Sequence, residues 1–261
     1  MMLELKDIKM SFSESHDDES NLLNGVNLSV EQGSVTALLG GNGAGKTTLF
    51  NIISGFEKDF TGKVLLNEKD ITRCSAYHVA QLGVGRLFQG RQLMDDLTLM
   101  ENMKIASRDK MGEGPFDIIF RPRRVKRSEK AKACEAVAVL TRLFGENNEF
   151  LGKLDQKASE LSYGQQRLMA LTRLLMGNDQ LLLLDEPTSG VNPEKITVFC
   201  HLIREMVEKE GKTVLLIEHN MPFVRDVADK CYYLSDGEII KTGTPNEVLD
   251  DKEVRKDYLG L

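Results

Sequence analysis

Apolar and polar residues alternate along Leu3 to Lys9 and again along Gly25 to Val30, the period of half-buried antiparallel strands. These stretches predict an edge β-subdomain. Between them Ser13 to Ser20 is polar, acidic and without period, which predicts a solvated hairpin loop. Val35-Thr36-Ala37-Leu38-Leu39 does not alternate in this way and reads as a strand buried on both faces, followed at once by glycines and a helix-compatible run from Lys46 to Ile53. From about Asp95 to Glu160 the period changes: Leu99, Met103 and Ala106, then Ala133, Val137 and Leu140, recur at helical spacing with charges between them. Beyond this inserted helical segment, Gln180 to Leu184 and Thr213 to Ile217 read as buried strands separated by a helix around Lys195 to Lys209, the alternation of a parallel sheet. The expected organisation is one α/β domain over 1–261, with a core from 1–94 and 161–261 and a helical subdomain at 95–160.

A length of 261 residues, 41% of them hydrophobic, suits one large domain with an insertion. The longest apolar runs are strand-length, far short of the roughly 20 residues of a membrane-spanning helix, so no bilayer crossing is expected. Met1-Met2-Leu3-Glu4-Leu5-Lys6 lacks the basic-then-apolar order of a secretory signal, which leads to an expectation of a cytoplasmic protein. Cys74, Cys134, Cys200 and Cys231 form no CxxC pair and read as reduced core thiols, not a zinc site or a disulfide framework. A net charge of -6 gives no reason to expect attraction to nucleic acid. The dense basic run Arg121-Pro122-Arg123-Arg124-Val125-Lys126-Arg127 reads as a solvated linker into a helix from about Ser128. Contact with lipid headgroups or a membrane partner is the alternative; no aromatic platform for nucleic acid is interleaved with it.

Gly40-Gly41-Asn42-Gly43-Ala44-Gly45-Lys46-Thr47-Thr48 fits G-x-x-x-x-G-K-[ST] and sits after a buried strand at a helix start. Glycines allow backbone N–H groups to converge on phosphate oxygens, and the helix N-terminus adds partial positive charge. In such a cradle Lys46 would reach the β- and γ-phosphates, Thr47 would ligate Mg²⁺ and Thr48 could donate to a phosphate oxygen. Leu181-Leu182-Leu183-Leu184-Asp185-Glu186-Pro187 is an apolar strand ending in two carboxylates, and ligands of open α/β sheets sit at the strands' carboxyl ends. Asp185 would hold Mg²⁺ and Glu186 would polarise or deprotonate the attacking water. His219 follows the strand Val214 to Glu218 at another carboxyl end and could hydrogen-bond the γ-phosphate or that water, whereas His16, His78 and His201 read as structural.

Leu161-Ser162-Tyr163-Gly164-Gln165-Gln166, about twenty residues before Asp185, resembles the LSGGQ signature of ABC ATPases. Ser162 and the Gly164 backbone at a helix N-terminus, with Gln165 at capping-box spacing, can hold an anion. The resemblance implies an α/β P-loop NTPase core of the RecA-like type with an N-terminal antiparallel β-subdomain and an inserted α-helical subdomain. It further implies ATP sandwiched head to tail between two such subunits, a copy or a similar ATPase, with Ser162, Gly164 and Gln165 facing the partner's γ-phosphate. Gln89, in Arg86-Leu87-Phe88-Gln89, resembles the glutamine loop that senses Mg²⁺ and water. Ser189-Gly190-Val191-Asn192 resembles the loop that touches the partner, and Phe12 would be the aromatic that stacks on adenine. The signature, the Ser189 to Pro193 turn, Ile217-Glu218-His219-Asn220-Met221, and the C-terminal run from Gly237-Glu238-Ile239 through Gly243-Thr244-Pro245 to Tyr258-Leu259-Gly260 are similar to the group serving branched-chain amino-acid and urea importers. That group implies permease subunits, an extracytoplasmic solute-binding protein and a place on the cytoplasmic face of the membrane. Gly41 in place of the group's proline, Leu87 in place of its threonine and the long acidic loop depart from the pattern. An exporter ATPase shares the same chemistry. A non-transport ABC protein would carry two cradles, a long coiled coil or zinc-binding cysteines.

Overall fold

Strand β1 (Leu3–Ser11) pairs antiparallel with β2 (Asn21–Val30). The structure, a computed structural model, describes residues 1–11, 21–90, 93–107, 120–177 and 179–259, so Phe12 and the acidic loop lie outside the described residues. The buried residues of β1 are Leu3 and Leu5, then Ile8 and Met10. The parity switches across a bulge at Asp7, whose φ is 48°, and one extra residue is what returns Ile8 to the inner face. Strands β4 (Thr61–Leu66) and β5 (Lys69–Asp70) complete a four-stranded antiparallel sheet in the order β2-β1-β4-β5. Their connection is the two-residue turn Asn67-Glu68, both at positive φ (47° and 66°), the backbone that matches the twist of a hairpin.

The second sheet has the order β10-β9-β3-β8-β7-β6, made of β3 (Val35–Gly40), β6 (Val84–Leu87), β7 (Leu181–Asp185), β8 (Thr213–Ile217), β9 (Lys230–Ser235) and β10 (Glu238–Gly243). Strands β3, β7 and β8 are buried at every position, which is why their sequences lack alternation. Strands β9, β3, β8, β7 and β6 run parallel, and only β10 returns antiparallel, through Asp236-Gly237 at φ 46° and 76°. Parallel pairing brings the carboxyl ends of β3, β6, β7 and β8 to one edge, so the residues that follow them gather there. Helix α1 (Lys46–Ile53) packs Leu49, Phe50, Ile52 and Ile53 into the apolar core with Leu38, Leu183 and Leu215. Helix α2 (Ala76–Gln81) is capped by Ser75, whose hydroxyl accepts from the His78 N–H.

The described contacts divide into two compact units, one of Met1–Gln89, Asp179–Ser189 and Ile196–Leu261, the other of Gly90–Asn178 and Gly190–Lys195. In the second unit α3 (Leu99–Ala106) opens with a Thr98/Glu101 capping box and buries Leu99 and Met103. Helix α4 covers Pro122–Phe144, so the basic run lies within the helix and is not a linker ahead of Ser128. Proline at the first helical turn has its φ preset and lacks only an N–H that would have no partner there, and arginine and lysine are good helix formers. The face of α4 that is buried is Ser128, Lys132, Ala136, Val139 and Leu140. Ala133 and Val137, expected on the core face, instead line an open apolar groove of about 610 Å³ with Met100, Cys134 and Ala138, bordered by Lys130 and Arg142. Cys134 is exposed and Cys74 and Cys200 are half-buried, leaving Cys231 as the one of the four in the core. Helix α5 (Tyr163–Arg173) carries the signature. Helices α6 (Pro193–Glu208), α7 (Met221–Val227), α8 (Pro245–Leu249) and α9 (Lys252–Leu259) follow. Among the described residues, no helix is long and apolar enough to cross a membrane.

Candidate active site

The glycine loop leaves β3 and enters α1 as its sequence implies. Gly40, Gly43 and Gly45 have φ of 151°, 81° and 98°, a region that L side chains rarely adopt. A Cβ on Gly40 would lie 2.2 Å from the Leu234 carbonyl oxygen, and one on Gly45 would lie 2.7 Å from Leu23 Cδ2, so these positions are closed to side chains on steric grounds as well. Gly41 and Ala44 are half-buried and Asn42 is exposed at the loop's tip. Lys46 is 7% exposed, and its ammonium donates to the Gly40 and Gly41 carbonyls at 2.8 and 2.7 Å. Burial lowers the Lys46 pKa, while the negative charges of Glu186 and Asp185 draw it back up. Thr47 is exposed and Thr48 half-buried on the first turn of α1.

The carboxylate pair closes the parallel sheet's edge. Asp185, the last residue of β7, is 2% exposed, and its Oδ2 lies 3.6 Å from Arg86 on β6. Glu186 leaves the strand with φ 48°, a left-handed backbone that is held by a bond from its N–H to the Ile217 carbonyl (2.9 Å) and a turn bond from the Ser189 N–H to its own carbonyl (3.1 Å). A non-glycine residue kept in this region costs of order 1 kcal/mol, and such positions concentrate at functional sites. The turn presents the Glu186 carboxylate to two partners. Gln89 Nε2 donates to Oε2 at 3.1 Å, and His219 Nε2 lies 3.5 Å from Oε1, a contact that becomes an ion pair when the imidazole is protonated. The loops after β3, β6, β7 and β8 therefore bring Lys46, Gln89, Asp185, Glu186 and His219 to one edge of a single unit.

In the other unit Ser162 caps α5. Its hydroxyl accepts from the Gln165 N–H at 3.4 Å, and the Gln165 side chain accepts from the Ser162 N–H at 3.0 Å. Ser162 is exposed, and nothing lies within 4 Å of a Cβ built on Gly164, so this helix N-terminus faces open space. Tyr163 packs over Gly190, where a Cβ would lie 2.7 Å from the Tyr163 ring.

Two residues to which the sequence assigns no role, Arg86 and Glu218, stand out at the first unit's edge. Arg86 donates to Asn51 Oδ1 at 2.9 Å and Ser54 Oγ at 2.7 Å while lying 3.6 Å from Asp185. Glu218, 3% exposed, accepts from Thr188 and from the backbone of His219 and Asn220. A Glu beside a His is visible in the sequence, but the pairings across strands, Arg86 with Asp185 and Glu218 with Thr188, are not.

A glycine loop between a buried strand and a helix, with acidic and amide side chains at the neighbouring carboxyl ends, defines a P-loop nucleoside triphosphatase. The chain belongs to the ABC transporter family, whose sequence model matches residues 23–189, and it is an ATP-binding and ATP-hydrolysing subunit. It is 32% identical over 238 residues to LivG of Escherichia coli (strain K12), covering 91% of each chain. That relative is named a high-affinity branched-chain amino acid transport ATP-binding protein. To BraF of Pseudomonas aeruginosa (strain PAO1), which bears the same description, it is 35% identical over 240 residues, with 91% of each chain covered. The solved ADP conformation of an ATP-binding cassette of an ABC transporter is 33% identical with a TM-score of 0.81, covering 100% of this chain and 99% of that one.

Proposed function

We propose that this chain energises an importer of branched-chain amino acids, urea or a related small solute, from the cytoplasmic face of the cell membrane, where permease subunits hold it. The reading is of a single ABC ATPase domain over 1–261, working head to tail with a second cassette, a copy or a similar ATPase. The observation that carries the hydrolytic role is the Glu186 carboxylate bracketed by Gln89 at 3.1 Å and His219 at 3.5 Å. Glu186 polarises or deprotonates the attacking water, His219 hydrogen-bonds the γ-phosphate or that water, and Gln89 senses Mg²⁺ and the water. The backbone N–H groups of residues 40–48 and the Lys46 ammonium, released from the Gly40 and Gly41 carbonyls, hold the β- and γ-phosphates. Phe12 stacks on the adenine.

Magnesium suits the oxygen donors present. Among the described residues no cluster of three or more His, Cys, Asp or Glu is arranged for a metal, and Mg²⁺ typically takes one or two protein oxygens and completes its shell with phosphate and water. Thr47 and Asp185, with Gln89, would supply those oxygens, and the ion would neutralise charge developing on the phosphates. Ser162, Gly164 and Gln165, open at the N-terminus of α5, contact the γ-phosphate held by the partner cassette. Closure of that sandwich on ATP and its opening after hydrolysis pass to the permeases as rigid-body movement. The apolar groove of α3 and α4, bordered by Lys130 and Arg142, is a surface that a permease's cytoplasmic helix fits. The branched-chain amino acid relatives support the cargo class.

The test is affinity purification of the chain from detergent-solubilised native membranes. Two multi-spanning permeases, with a second ATPase and a solute-binding protein, are the expected companions, and the binding protein's ligand names the cargo. Recovery with soluble or ribosomal partners alone would overturn the transport role.

A further inference from the structure

We infer that Glu218 is a positioning residue that locks the loop after Glu186 to the loop of His219 and so holds the hydrolytic pair in register. The inference rests on the reading that Glu186 and His219 act in hydrolysis. Glu218 is the first residue after β8 and is 3% exposed. Its Oε1 accepts from the Thr188 N–H at 2.8 Å and the Thr188 hydroxyl at 2.6 Å. Its Oε2 accepts from the His219 N–H at 2.9 Å and the Asn220 N–H at 3.2 Å. Thr188 stands two residues after Glu186, and Asn220 in turn caps α7 by accepting from the Phe223 N–H at 3.1 Å. One carboxylate therefore spans both ends of the 3.5 Å contact between His219 and Glu186.

The chemistry of the site demands a carboxylate. All these partners are donors, and each carboxylate oxygen receives two of them. An ionised Glu is acceptor-only and meets that demand, whereas a Gln amide would turn an NH₂ toward two donors. A buried carboxylate without such bonds is expensive, so the clamp forms as a unit. When it forms, the backbone that carries His219 can no longer move independently of the turn that carries Glu186. A group that merely filled space would do the same work as Gln.

The test is a cycle of Glu218→Gln, His219→Ala and the double variant, followed by release of radiolabelled phosphate and by ATP affinity. Glu218→Gln keeps the volume of the side chain. It should lower kcat about ten- to hundredfold, the loss expected when bonds to a charged acceptor are broken, with KM for ATP within about twofold of the parent. In the His219→Ala background the same change should have no further effect, because Glu218 acts through that loop. Thr188→Val removes only one donor and guards against misfolding of Glu218→Gln; it should lower kcat about three- to tenfold and be equally silent without His219. A Glu218→Gln enzyme at the parental kcat while His219→Ala is slow overturns the clamp and leaves the histidine reading intact. Multiplied losses in the double variant, or KM rising with kcat falling, would reduce Glu218 to a stabilising group. A His219→Ala enzyme at the parental rate overturns the histidine reading itself, and with it the clamp.

Discussion

Arg86→Met tests how the sheet's edge is held together. The Arg86 side chain is 6% exposed and lies 3.6 Å from Asp185, itself 3% exposed. Its other nitrogen donates to Asn51 Oδ1 at 2.9 Å and to Ser54 Oγ at 2.7 Å, so one guanidinium joins the end of α1 to the strand of Asp185. Phe88 lies under it with the ring centroid at 4.4 Å. Burial pushes the Arg86 pKa down, and the Asp185 charge and hydrogen bond draw it up again. Methionine keeps the unbranched apolar stem and much of the ring contact, so the loss is polar. Removing one partner of a buried ion pair costs about 3–5 kcal/mol. At about 2–4 °C per kcal/mol for a chain of this size, Tm should fall by about 6–20 °C. An exposed pair would be worth under about 1 kcal/mol, a shift of about 4 °C or less. Differential scanning calorimetry without nucleotide reads the difference directly. A Tm loss under about 4 °C would refute the view that Arg86 is a buried cross-tie.

Two further outcomes follow from the geometry. Gly45→Ala places a Cβ 2.7 Å from Leu23 Cδ2 at φ 98°, a strain of about 1–3 kcal/mol. Titration with a fluorescent ATP analogue should show at least about fivefold weaker binding; parental affinity would mean the loop tolerates a left-handed alanine. Burial raises the thiol pKa of Cys200 to about 11 and of Cys231 to about 12, so at pH 8 only about one Cys200 in a thousand is thiolate. Native protein treated with a disulfide reagent at pH 8 should label the exposed Cys134 first and spare Cys200 and Cys231 until it unfolds. Equal rates at all four would contradict their burial. An unfolded thiol ionises near the ordinary value of 9.0, below these folded values. The folded state therefore holds more protons in the window between, and stability falls as pH rises through it.

The elements that carry the site were legible because their sequences are extreme. Val35–Gly40, Leu181–Asp185 and Thr213–Ile217 are buried throughout; the first ends in a glycine, the second in an aspartate, and the third runs straight into Glu218-His219. The parallel order then places their termini together. The β9–β10 hairpin went unread although Asp236-Gly237 between two apolar runs is a strong two-residue turn signal. The start of α4 is masked in the sequence by its run of charges, although the proline of its first turn marks it. Ala133 and Val137 misled for another reason, since an apolar residue on a helix is legible but the direction of its neighbour is not. Glu218 and Thr188 were beyond sequence reasoning: a Glu at a strand end reads as an exposed turn residue, and only pairing across 30 positions reveals the clamp.

The central claim is that Glu186 drives hydrolysis in an ATP sandwich between two cassettes. Its most direct test is the Glu186→Gln protein, measured for phosphate release and, with and without ATP and Mg²⁺, for mass by size exclusion with light scattering. The expected result is an ATP-dependent doubling of mass with turnover at least about a hundredfold below the parent. Turnover at the parental rate, or a protein that binds ATP and stays a monomer, would contradict it.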